Sequence, residues 1–259
     1  MKERDVTFDM MKGIAILAMI AGHCFIPHQL HHFVYIWHMP LFFFVSGYFF
    51  KEKPLQKVIA GIWKGLLVPY IVTGITILLC LLLCDCLWGT DLLKSKGVAL
   101  FAVNGLLSNP DTYGGVYKCA PIWFLLALGW CKIIYSILEK LKFNVVLETI
   151  LLAGLSYSIA CCSDKIYMPF FIQQALVSLI FYHVGFLFKR NINSLVKYKR
   201  IAFGLGMLAL AVGMFQGRMD IWALLFPNRS LNICAAIGSV VLLYFVLKFK
   251  YFTPPHYSV

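Results

Sequence analysis

Lys12 and His23 stand eleven positions apart in the run Asp9-Met-Met-Lys12-Gly-Ile-Ala-Ile-Leu-Ala-Met-Ile-Ala-Gly-His23, which is otherwise apolar after Asp9. At about 100° per residue, eleven steps return to within roughly 20° of the start. A helix therefore carries both side chains on one face, about 16 Å apart along its axis. An ionisable group inside a membrane costs on the order of 2.5–3.5 kcal/mol on insertion scales, so it marks a functional site. Fixed positive charge at one level and an imidazole further along suit either a membrane enzyme or a transporter whose path the two residues line.

Other reactive residue types give weaker patterns. The nine cysteines fall mostly inside apolar runs without paired C-x-x-C spacing, so they read as small buried hydrophobes. His28, His31 and His32 follow the first apolar run in a short loop, but no carboxylate or thiolate partners for them are evident, and no metal site is expected. His183, Gln173 and Gln174 are polar groups within a later apolar run and read as structural.

The elements that must position these residues are membrane helices. Of the 259 residues 61% are hydrophobic and 13% charged, and the mean hydropathy is +0.82. A soluble domain carries about 25% charged residues. Apolar spans are expected near 9–26, 33–50, 58–84, 120–138, 145–162, 167–188, 201–216 and 231–247, with an interfacial or re-entrant piece at 96–108. The net charge of +12 is divided among short clusters between these spans, which speaks for topology signals and against a nucleic-acid surface. Lys2, Arg4, Lys51, Lys53, Lys57, Lys140, Lys142, Lys189, Arg190, Lys197, Lys199, Arg200, Lys248 and Lys250 fall on one side; Lys94, Lys96, Lys118, Lys165, Arg218 and Arg229 fall on the other. The positive-inside rule then places both termini in the cytoplasm. Asp9 and Lys12 interrupt the first span and no A-x-A site follows, so it is not read as a cleaved signal peptide.

Three blocks carry a resemblance. Asp9-x-x-Lys12 followed by His23 fits an R/K-x10-H pattern. Trp37-His38-Met39-Pro40-Leu41-Phe42-Phe43-Phe44-Val45-Ser46-Gly47-Tyr48 and Ala120-Pro121-Ile122-Trp123-Phe124-Leu125 are similar to F-h-M-P-L-F-F-x-x-S-G-Y and P-x-W-F-L blocks, and Leu179 to Lys189 is similar to an F-x-x-x-G helix end. On these residues the chain resembles the acyltransferase-3 family of membrane O-acyltransferases. The resemblance implies transfer of an acyl group, most simply acetyl, from coenzyme A to a hydroxyl of a saccharide or cell-envelope polymer. His23 would then be the general base, favoured in its neutral form by desolvation, and Lys12, positioned by Asp9, would pair with phosphate or polar groups of the donor. His38, beside Pro40, either faces the cavity of His23 or anchors a kink. Ser46 lacks a G-x-S-x-G elbow and reads with Gly47 as a close-packing residue. Trp123 either stacks on a sugar ring or belongs to an interfacial aromatic belt. The family has about ten spans and some members carry an R-x-x-R motif; eight spans and no clear counterpart of that motif are found here.

The expectation is an all-α polytopic transmembrane bundle of about eight spans, residues 1–259 forming one acyltransferase-3-like domain that lacks the family's last spans. It binds no resident cofactor or metal, uses acetyl-CoA or another acyl-CoA as co-substrate, and sits as a multi-pass protein in a bacterial inner membrane. Its partners are the bilayer, the acyl-CoA and a glycan acceptor, with no nucleic acid. The competing readings are a transporter or flippase of small anionic or sugar substrates, and an inactive truncated family member.

Overall fold

The computed structural model describes residues 6–89, 122–162 and 168–251. Nine α-helices occupy them: α1 (Val6–Gly22), α2 (His28–Tyr48), α3 (Leu55–Ile62), α4 (Val68–Trp88), α5 (Trp123–Leu138), α6 (Val145–Cys161), α7 (Ile172–Lys197), α8 (Lys199–Phe215) and α9 (Arg229–Tyr251). Among the described residues the only extended pairing is an isolated bridge between Asp220 and Leu225. Each of the eight expected spans coincides with a helix, the third with α3 and α4 together; the piece at 96–108 lies outside the described residues. Three helical stretches are long and apolar enough to cross a membrane, Leu55–Trp88, Ile172–Lys197 and Arg229–Phe249. With 17 residues each, α1, α6 and α8 reach about 26 Å, near the short end of what a bilayer core requires.

Proline sets several boundaries. Pro27 and Pro54 cap α2 and α3, where a fixed φ and a missing N–H cost a helix nothing. Between α3 and α4 the chain makes a π-helical turn, Trp63–Leu67, in which the Val68 N–H donates to the Trp63 carbonyl. In a regular helix the ring of Pro69 would meet the carbonyl four residues back, and the wider turn relieves that contact. The run expected as one span at 58–84 is therefore one continuous rod with a local change of hydrogen-bond step. Pro40 lies inside α2, which continues unbroken across it.

The chain divides into two compact units. The first comprises Met1–Phe50, Leu152–Ala160 and Ser178–Val259, and the second comprises Lys51–Leu151 and Cys161–Val177. In the first, α1 buries Phe8, Met11, Ala15, Ala18 and Gly22, a stripe at helical spacing turned toward α2 and α9. The Phe8 ring lies 4.0 Å from that of Tyr48 and 5.4 Å from that of Tyr244, while Phe188 sits 5.2 Å from Phe44 and 4.9 Å from Tyr244. Lipid tails are as apolar as leucine, so helices in a membrane are held by close packing between small residues more than by hydrophobic burial. On α2 and α7 that packing is reciprocal. A Cβ at Gly47 would overlap the Tyr182 carbonyl, and one at Gly185 would overlap the Phe44 carbonyl. On α8 and α9, Gly206 faces Leu242 and Gly213 faces Ala235, with a Cβ at either falling 2.8 Å and 2.9 Å from the facing Cβ atom.

In the second unit α5 packs on α3 and the π-turn, with Gly129 against Ile62. Phe170 and Phe171, just before α7, both have φ of 59°. Trp130 Nε1 donates to the Phe170 carbonyl at 3.1 Å, and the Phe171 ring packs 6.2 Å from that of Trp123. These contacts hold two bulky residues in a conformation they seldom adopt.

Candidate active site

α1 ends at Gly22, so His23 is the first residue beyond the helix and is exposed; its N–H donates to the Ile20 carbonyl at 3.0 Å. The expectation of an imidazole embedded in the span is corrected to one at the mouth of the helix. Local geometry selects its tautomer. His23 Nδ1 lies 2.8 Å from the Met19 carbonyl oxygen. A carbonyl only accepts, so in the neutral ring the proton is on Nδ1 and the lone pair is on Nε2. That is the form a general base needs.

The shape of Gly22 brings α2 to this histidine. A Cβ there would stand 3.0 Å from Cε2 of Tyr35, so the end of α1 rests directly on the Tyr35 ring. His31, Tyr35 and His38 share one face of α2. The His31 ring stacks on Tyr35 with centroids 4.3 Å apart and hydrogen-bonds the Gly22 carbonyl; Tyr35 meets His38 edge-on at 5.0 Å. His38 is buried, 2% exposed, and its Nδ1 donates to the Val34 carbonyl at 2.8 Å, the same arrangement as in His23. His23, His31 and Asp220 all lie within electrostatic reach of His38.

The connection between α8 and α9 closes the group. Arg218 stands 4.6 Å over the Tyr35 ring and forms a 2.6 Å ion pair with Asp220. Asp220 is itself fixed by the Trp222 and Ala223 N–H groups, which donate to its Oδ1 at 3.0 and 3.3 Å. Tyr35, Arg218 and Asp220 were not singled out by sequence reasoning. The His31-x-x-x-Tyr35-x-x-His38 spacing on one helix face was the available signal.

The remaining candidates separate. Lys12 lies on α1 about 16 Å before His23, with Nζ 2.7 Å from Asp9 Oδ1, so Asp9 does hold the lysine. Ser46 is half-buried beside Gly47, in the close approach of α2 to α7. Trp123 belongs to the second unit, where it is 5% exposed and packs on Phe171. His183, Gln173 and Gln174 are buried. Among the described residues no group of three or more His, Cys, Asp or Glu comes together in a metal-holding arrangement.

Residues 5–253 match the family model described as an acyltransferase domain, Acyl_transf_3. The chain belongs to the acyltransferase-3 family. It is similar to nodulation protein NolL of Sinorhizobium fredii (strain NBRC 101917 / NGR234), with 26% identity over 228 residues, 76% of this chain and 53% of that protein. The chain thus spans about half the length of this curated relative. No solved structure matches. In this acyltransferase-3 chain the quoted blocks divide by place: Gly47 and Gly185 lie where α2 meets α7, Lys12 pairs with Asp9 on α1, and His23 and His38 lie within electrostatic reach of one another near Tyr35.

Proposed function

We propose that the protein is a membrane O-acyltransferase that moves an acetyl or other acyl group from acyl-CoA to a hydroxyl of a saccharide or cell-envelope polymer, with His23 as general base. The acceptor oxygen attacks the thioester carbonyl, forming the O–C bond and breaking the C–S bond. The hydroxyl proton passes to His23 Nε2 and then to the departing thiolate, so that free coenzyme A leaves. Lys12, steadied by Asp9, receives phosphate or polar groups of the donor at the opposite end of α1, and the extended pantetheine arm covers the intervening distance. His38 supports the acceptor side. The protein is multi-pass in a bacterial inner membrane with both termini cytoplasmic.

The observation that most favours this reading is the Met19 carbonyl on His23 Nδ1, which leaves Nε2 as the basic atom at an exposed position within electrostatic reach of His38. The test is an acetyl-CoA assay in membranes carrying the wild type or His23→Ala. Loss of a general base costs about 10²- to 10⁴-fold in rate. The variant should insert normally and lose acetylation by that factor; turnover near the wild-type rate would remove His23 from the chemistry.

A further inference from the structure

In the first unit, Lys199, Arg200 and Phe203 of α8 and Phe245, Val246 and Phe249 of α9 line an open groove of about 640 Å³. Its wall is aromatic. Phe245 is buried, and its ring stacks on Phe249 at 5.8 Å with 4° between planes. Lys199 Nζ lies 4.3 Å over the Phe249 ring, which holds the ammonium at the lip of the groove. Neither Lys199 nor Arg200 has a carboxylate partner among the described residues, and the sequence contains no acidic residue from 165 to 219 or after Asp220. On the outside of α8, Ile201, Phe203, Leu205 and Leu208 are exposed apolar side chains, continuous with the opening.

An occupant has to satisfy three conditions: negative charge for two cations that have no carboxylate partner among the described residues, an apolar body for the aromatic wall, and approach from an apolar exterior. Inorganic phosphate meets only the first, and a neutral lipid only the other two. We propose that this slot holds an anionic phospholipid, its phosphate against Lys199 and Arg200 and an acyl chain along Phe203 and Phe249. The site is separate from the His23 group and does not depend on the acyltransferase reading.

The experiment reconstitutes the full chain in phosphatidylcholine vesicles with or without phosphatidylglycerol, and measures the thermal midpoint and the capture of a photoreactive phosphatidylglycerol. Phosphatidylglycerol should raise the wild-type midpoint. In Lys199→Gln/Arg200→Gln the apparent affinity should fall about 30-fold, the factor for two basic side chains at an anionic surface. Val246→Trp, which keeps both cations but fills the slot, should lose capture as well. Lys53→Gln/Lys57→Gln, basic positions outside the groove, should behave as wild type. Three outcomes overturn the proposal: equal loss in Lys53→Gln/Lys57→Gln, which makes the effect one of general surface charge; undiminished capture in Val246→Trp; or stabilisation by inorganic phosphate or free coenzyme A in phosphatidylcholine that the double variant abolishes, which makes the site one for soluble phosphates.

Discussion

Lys12 and Asp9 pair across one turn of α1 with 41% and 28% of their side chains exposed, so the pair adds little stability and its use lies in where it holds the ammonium. If that ammonium meets the donor, Lys12→Ala should raise the KM for acyl-CoA about tenfold with kcat little changed, the loss of one charge-assisted contact discounted for exposure. Lys12→Arg should keep most of the activity, since a guanidinium offers the same charge. Release of free coenzyme A measured against acyl-CoA concentration reads both, and an unchanged KM in Lys12→Ala would sink the donor-binding role. The helix that carries Lys12 was legible in the apolar run, whereas the pairing of Lys12 with His23 rests on an eleven-residue spacing that runs one residue past the end of α1. Tyr35, Arg218 and Asp220 were not legible, because they join the group through the Gly22 approach and through a loop far along the chain, which no local period encodes. The burial expected of His23 failed for a related reason: hydropathy locates an apolar run but not the residue at which its helix stops.

At the scale of elements, the reciprocal contact of α2 and α7 makes a sharp prediction. Gly47→Ala or Gly185→Ala forces a methyl into a facing carbonyl, and overpacking of this kind costs about 1–3 kcal/mol or parts the helices. Each variant should lower the thermal midpoint in detergent and the yield of folded protein. Gly13→Ala has open space at its Cβ and should be neutral or stabilising by about 0.5–1 kcal/mol. Equal behaviour of all three would mean that the clamp does not bear the packing. The helices themselves were readable from apolar runs. Their ends were less so: the run expected to close at 188 continues as α7 to Lys197, because Lys189, Arg190 and Asn191 end the apolar stretch without ending the helix. The π-turn was likewise hidden, since Pro69 announces a disturbance but not the form it takes.

For the whole molecule, the division of basic residues between alternate loops sets the expected topology. Reporter fusions after Lys53, Lys142, Arg200 and Lys250 should read as cytoplasmic, and fusions near Asp111 and Arg218 as external. A cytoplasmic signal at Asp111 would break the assignment of the third and fourth spans and move the acceptor to the other side. The same arrangement puts His23 at an exposed helix end, and this bears on the economy of the reaction. Water is also a hydroxyl nucleophile, present at far higher concentration than any glycan, and an open imidazole does not distinguish the two. Acetyl-CoA should therefore be hydrolysed slowly when no acceptor is supplied, in a saturable leak that disappears in His23→Ala and shrinks as acceptor is added. Thiol release without acetylated product is the quantity to follow; its absence would mean that an acceptor must be in place before the thioester can be reached, and the strength of the leak sets how much donor the cell loses for each acyl group delivered.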